Sequence, residues 1–215
     1  MVEYLNLDNL ISKYPELFVV ENDESHSPRQ IKGYFTMTAS NKGVTFYEKY
    51  HVEIDLLDYE IPYITELDKK IIRRYAHRYS DGGLCLGTTT DILMDCCYEG
   101  KFDILKWFED FVIPYFFSYE YFIRFGEYPF GERSHGKKGI LEYYMDILNL
   151  QNVNQAHDFI KKVANQRRYR GHLLCPCGSG KRVRDCHKKE IVMALNPFFK
   201  ERIVADLKTI EGENY

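Results

Sequence analysis

The stretch Val44-Thr45-Phe46-Tyr47-Glu48-Lys49-Tyr50-His51-Val52-Glu53-Ile54-Asp55-Leu56-Leu57 is rich in β-branched and aromatic residues. Within it Val52, Ile54 and Leu56 alternate with Glu53, Asp55 and Leu57, the period of two expected of a strand with one buried face. Upstream, Ile31–Ala39 has the same composition, and Asn41-Lys42-Gly43 supplies a turn between the two runs. The pair predicts an antiparallel meander, packed on one face and wet on the other.

Working outward, the polar run Glu21-Asn22-Asp23-Glu24-Ser25-His26-Ser27-Pro28 reads as a loop. Before it, Leu5, Leu7, Leu10, Ile11, Tyr14 and Leu17 fall at near-helical spacing and predict an opening helix. After the meander, Ile61-Pro62-Tyr63 is an exit, Tyr63–Leu67 a further strand, and the chain is irregular to Gly87. Phe102, Leu105, Phe108, Phe111 and Val112 mark a helix expected to stop near Pro114. Gly126–Gly139 reads as a loop, and helical patterns return at Ile140–Leu150 and Ala156–Gln166. A last helix over Ile191–Ile210 breaks near Asn196-Pro197. Helix, meander, loop and helices make an α+β fold.

The 215 residues are 45% hydrophobic, which excludes wholesale disorder and leaves room for one domain with an accessory module. The longest apolar run, Phe111–Phe122, is interrupted by Pro114, Ser118 and Glu120, well short of the ~20 residues of a membrane span. Met1-Val2-Glu3-Tyr4 lacks a basic segment followed by an apolar core, so a cytoplasmic protein with no membrane partner is expected. Charge is uneven. Residues 1–160 carry 16 basic and 26 acidic residues, and residues 161–215 carry 13 and 6. The acidic first part argues against nucleic acid as a partner of the chain as a whole.

Six cysteines fall in two groups, Cys85, Cys96 and Cys97, then Cys175, Cys177 and Cys186. In the second group Cys175-Pro176-Cys177-Gly178-Ser179-Gly180 is followed, after eight residues counted from Cys177, by Cys186-His187. Three thiols and an imidazole are the ligand set of closed, tetrahedral, structural zinc. Gly178 and Gly180 let the backbone wrap the ion. A segment too short for its own core needs such a staple. The rim Lys181, Arg182, Arg184, Lys188 and Lys189 offers a basic docking surface. Over residues 171–190 the run resembles the SEC-C motif, a zinc-binding module found at the end of the SecA translocase. The resemblance implies interaction with another protein.

In the first group Asp81-Gly82-Gly83-Leu84-Cys85-Leu86-Gly87 sets a cysteine among glycines in irregular chain, with His77 eight residues upstream. A thiol near an imidazole can be a nucleophile with its base; a buried structural cysteine is the alternative. The order of elements and the Gly-x-Leu-Cys-Leu sequence resemble ubiquitin-conjugating (E2) enzymes. In that family the active cysteine lies in Gly-x-Ile-Cys-Leu, eight residues after the Asn of a His-Pro-Asn tripeptide. Here Tyr75-Ala76-His77 stands in that place, so His77 replaces the Asn, and Pro62 falls at the family's Pro-rich strand exit. The resemblance implies an E2/UBC-like fold and a thioester at Cys85. An imidazole N–H at His77 could steady the oxyanion, a role worth about 3–4 kcal/mol elsewhere, or His77 could act as a base.

Bacterial E2-like proteins of short CBASS anti-phage operons resemble this chain in having no attached activating or protease domain. They imply a protein substrate with an activated C-terminus, such as a cyclic-nucleotide synthase (CD-NTase), and a separate activating enzyme. The loop Gly126–Gly136 brings Glu132, Arg133 and His135 close in sequence, so Glu132 and His135 are second-tier catalytic candidates. Cys96 and Cys97 read as core, and core or surface packing explains His51 and Trp107. The expected organisation is an E2-like domain over 1–150, a basic linker helix over 151–170, the zinc module over 171–190 and a C-terminal helix over 191–215.

Overall fold

In a computed structural model the described residues are 3–21, 28–41, 43–56, 60–98, 100–131, 134 and 136–212. The fold is α+β, and the chain divides into two units, Met1–Gly131 and Glu132–Tyr215.

The first unit opens with β1 (Glu3–Leu5), α1 (Leu7–Lys13) and β2 (Leu17–Glu21). The meander strands β3 (Pro28–Asn41), β4 (Val44–Asp55) and β5 (Tyr63–Glu66) follow. The four strands β2-β3-β4-β5 lie in chain order and are antiparallel throughout. The meander is therefore present, with one strand more than the pattern predicts. Leu17, expected in the opening helix, begins β2 instead. The cause is Pro15: a residue before proline is pushed out of the helical region, and Tyr14 duly sits at φ −120, ψ 74.

Register carries the alternation into packing. Ile31 faces Ile54 and Phe35 faces Tyr50 across β3 and β4, and all four are buried. That face is covered by a helix. Downstream come α2 (Thr89–Cys96), β6 (Cys97–Tyr98) and β7 (Lys101–Asp103). A second small sheet has the order β1-β7-β6, its β1–β7 pair parallel. The chain then stays helical through α3 (Ile104–Trp107), a π turn over Phe108–Val112 and α4 (Ile113–Phe125). The expected stop near Pro114 does not occur. In the widened turn the Ile113 N–H reaches back to the Phe108 carbonyl, and Pro114 falls in the first turn of α4. There its missing N–H costs little. Phe116 then packs on Tyr50 at 4.1 Å and Phe35 at 5.2 Å, and Phe117 on Phe46 at 5.2 Å.

Between β5 and α2 the backbone is irregular, and α4 supplies the partners it lacks. The Tyr119 hydroxyl donates to the Lys70 carbonyl at 2.6 Å and accepts from the Ile72 N–H at 3.4 Å. The Tyr115 hydroxyl donates to the His77 carbonyl at 3.0 Å. Buried Glu66 accepts from the N–H groups of Asp68 and Ile71. Such bonds let a segment without a ladder pack inward, because buried backbone groups must find partners. Tyr75, 3% exposed, is its anchor, with ring contacts to Tyr115, Tyr119, Phe122 and Tyr128.

The second unit contains α5 (Gly136–Ile147), α6 (Val153–Ala164), α7 (Lys188–Ala194) and α8 (Pro197–Glu211). Its core joins Tyr143, Tyr144, Phe159, Ile160 and Val163 to Cys175, Cys177, Ile191 and Ile203. Two expectations change here. The helix assigned to the end of the 1–150 domain packs in this core. The 151–170 segment is no linker either, since α6 buries Ala156, Phe159, Ile160 and Val163 on one stripe. The break at Asn196-Pro197 is present: the Asn196 side chain caps the Phe198 N–H at 3.1 Å and Pro197 opens α8. Among the described residues no helix is long and apolar enough to cross a membrane.

Candidate functional site

The loop around Cys85 folds back on itself before it reaches the cysteine. The Tyr79 N–H donates to the Gly83 carbonyl at 2.8 Å, and the Cys85 N–H donates to the His77 carbonyl at 2.9 Å. The Leu84 N–H donates to the Ile64 carbonyl at 2.9 Å, which ties the loop to β5. Gly83 is required by contact: a Cβ there would lie 1.9 Å from the Tyr63 hydroxyl oxygen. Asp81 closes the turn by accepting from the Gly83 N–H at 3.1 Å. The Tyr63 hydroxyl, and after it that N–H, hold the Asp81 carboxyl below its usual range. Thr88 then caps α2, its hydroxyl accepting from the Asp91 N–H at 3.1 Å.

Cys85 is half-buried, whereas Cys96 and Cys97 are buried. Burial first, and Asp95 next, push the Cys96 thiol up to about 12. Burial also raises Cys97. Both therefore stay as unreactive thiols near neutral pH. The Tyr79 hydroxyl hydrogen-bonds the Cys85 thiol, and burial, followed by that bond, raises the phenol above its ordinary value. Tyr79 thus remains protonated and is available as a donor to sulfur. Sequence reasoning missed this residue. Tyr79 also lines, with Pro62, Tyr63, Leu86, Gly87 and Ile92, a cleft of ≈ 240 Å³.

His77 and Cys85 are linked through the backbone by the bond from the Cys85 N–H to the His77 carbonyl. The imidazole of His77 has edge contacts with Tyr75 at 5.6 Å and Tyr128 at 5.2 Å. Glu132 and His135, with Arg133, lie outside the described residues. Trp107 is wholly buried, and His51 stacks on Tyr34 at 4.2 Å.

The second candidate site is the cysteine cluster near the C-terminus. Cys175 Sγ lies 3.2 Å from His187 Nδ1, Cys186 Sγ 3.3 Å from the same nitrogen, and Cys177 Sγ 3.6 Å from Cys186 Sγ. All four ligand atoms lie within 4.8 Å of one another. A tetrahedral ion with bonds of about 2.3 Å to sulfur and 2.0–2.1 Å to nitrogen needs edges of about 3.5–3.8 Å. The donor set fits a metal ion. Four protein ligands leave no position for a substrate, so the site is closed.

The surroundings prepare the ligands. The Cys175 N–H donates to the Lys181 carbonyl at 2.8 Å, and Gly178 and Gly180 turn the chain at φ +79 and +74. His187 Nε2 lies 3.0 Å from the Leu148 carbonyl, just past the end of α5. A proton on Nε2 leaves Nδ1 free to ligate, and the bond occupies a carbonyl that the helix end leaves without an intrahelical partner. Burial raises the Cys177 thiol, but the Ser179 hydroxyl and N–H and the other two thiols outweigh it and bring it down to about 6. Burial pushes Cys175 up to about 12. Leu148 was not legible as part of the site, since it acts through its backbone, and Ser179 was legible only as a member of the motif.

No known family pattern matches the chain, and no curated protein matches it by sequence.

Proposed function

We propose that the first unit is an E2-like acyltransferase and that the second holds structural zinc in a SEC-C-type module. The observation that carries the catalytic reading is the setting of Cys85. It is a half-buried thiol, hydrogen-bonded by Tyr79, on a loop tied to β5 next to a cleft. The zinc reading rests on a compact Cys₃His set, a donor chemistry that suits zinc best among common ions.

In this reading the Cys85 thiolate attacks the carbonyl carbon of an activated protein C-terminus. The S–C bond forms as the activating group leaves, and an acceptor amine then attacks the thioester. The thiolate is expelled, the amine loses its proton and an amide remains. Holding thioester and amine together supplies much of the rate. The cargo would be a partner such as a cyclic-nucleotide synthase of an anti-phage operon, activated by a separate enzyme in the cytoplasm. His77 would steady the oxyanion, with Glu132 and His135 as second-tier groups.

A second reading is favoured by the His77 ring, which is engaged by two tyrosines: a catalytically silent E2-like scaffold serving as a zinc-bearing adaptor. Co-expression with the native gene neighbours separates the two. The transferase reading expects a heavier species that collapses with thiol reagent and is lost in Cys85→Ala but not Cys96→Ala. No adduct, with unchanged partner binding by Cys85→Ala, leaves the adaptor.

A further inference from the structure

Half of the second unit's cations lie on and beside the hairpin that carries the Cys₃His cluster. Leu174 and Arg182 face each other across an antiparallel bridge. The Val183 N–H donates to the Leu173 carbonyl at 2.9 Å, and the Arg184 N–H to the Gly171 carbonyl at 3.1 Å. These bonds bring His172, Leu173 and Leu174 alongside Arg182 and Arg184, and all five residues are exposed. The segment leading in is Arg167, Arg168, Tyr169 and Arg170, also exposed. From Arg167 to Lys189 the chain has eight Lys and Arg residues, five of them Arg, against one carboxylate, Asp185.

One aromatic ring in this run lies against the backbone. A Cβ on Gly171 would lie 2.6 Å from the Tyr169 hydroxyl oxygen and 2.9 Å from two of its ring carbons, so the ring rests on the Gly171 backbone. The Gly171 carbonyl in turn accepts from the Arg184 N–H, which lies in the short 3-10 turn Val183–Asp185. Tyr169 is nevertheless 37% exposed.

We infer that this hairpin binds the phosphate backbone of a short single-stranded nucleic acid, with Tyr169 as the surface on which a base stacks. Guanidinium groups match phosphate oxygens in pairs. An exposed ring flanked in sequence by arginines is what an unstacked base can use. An acidic peptide would use the charges and leave the ring idle. The charge count of the whole chain argues against nucleic acid because it averages two units of opposite sign. Residues 1–131 carry 13 basic and 22 acidic residues, and residues 132–215 carry 16 and 10. This inference is independent of the Cys85 reading.

The test is fluorescence anisotropy of a labelled single-stranded RNA of about 12 nucleotides with the full-length, metal-loaded protein. Expected is saturable binding whose log affinity falls with log salt at a slope of roughly −2 to −3, as for three or four phosphates. Arg182→Glu with Arg184→Glu should weaken binding at least about tenfold and flatten the slope. Tyr169→Ala should cost about tenfold with the slope unchanged, and Tyr169→Phe should restore affinity. Circular dichroism and metal content report whether each variant is folded. The inference is overturned if poly-glutamate of equal charge binds as tightly while Tyr169→Ala leaves RNA affinity intact, which would indicate an acidic protein partner. It is equally overturned if no saturable RNA binding occurs, or if light scattering shows self-association that the double charge reversal abolishes.

Discussion

The Cys85 loop and the Cys175–His187 hairpin pose one physical problem and solve it differently. Each is a stretch of irregular chain that carries cysteine and has no strand ladder of its own. The first is fastened from outside by a helix, through the Tyr119 and Tyr115 hydroxyls and the buried Tyr75 ring. The second draws its own side chains together at a point where a metal ion could bind. A loop pinned by neighbouring hydroxyls weakens in steps as contacts are removed. A loop pinned by an ion fails together when the ion leaves.

The largest effect expected is metal removal. A strong chelator, or Cys177→Ser, should release one ion per chain and abolish amide protection over residues 171–195, while β3, β4 and α4 keep theirs. The scale is set by structural zinc, about 10 kcal/mol in small modules. Hydrogen exchange by mass spectrometry reads the two units separately, and equal loss in both would erase the contrast. Next comes Tyr75→Ala, expected to cost about 3–5 kcal/mol in urea unfolding. It should speed alkylation of Cys85 and leave metal content unchanged.

Tyr119→Phe sharpens the comparison. It removes one hydroxyl and strands the Lys70 carbonyl and the Ile72 N–H, at about 1–3 kcal/mol. The loss should appear in the unfolding midpoint without altering the metal site. The smallest effect expected is one of pH. Cys96 has a folded value of about 12, above the roughly 8.5 of an unfolded thiol. A group raised on folding contributes stability that is complete below its unfolded value and lost as pH climbs toward its folded one. Stability of the first unit should therefore decline above about pH 8.5, and Cys96→Ser should flatten that decline. Across neutral pH, alkylation mapped by peptide mass should reach Cys85 before Cys96 or Cys97.

How much of this was legible varies with the range of the interaction. The meander could be read because Val52, Ile54 and Leu56 repeat at the pleat's period. The metal ligands could be read because their identity and spacing carry the coordination chemistry. Cys85 stood out through its glycines. The β1-β7-β6 sheet could not be read, since strands of two or three residues are too short to show a period. The helix through Pro114 contradicted a sound local rule, because a π turn moved proline to a position where its missing N–H does no harm. The helix over Ala156–Gln166 was legible, but its burial was obscured by Lys161 and Lys162, whose charges lie on the opposite face.

By itself the sequence determined the α+β class, the strand faces, the four candidate ligands and the segregation of charge. Each of these is written in neighbouring residues and repeats over short distances. Only the tertiary structure decided which helix belongs to which unit, that Tyr79 meets Cys85, that Tyr115 and Tyr119 hold the loop, and that Leu148 orients His187. Those are pairings of single groups many residues apart, made by burial and backbone direction. A hydroxyl or a carbonyl carries no mark in the sequence of the partner that folding will bring to it.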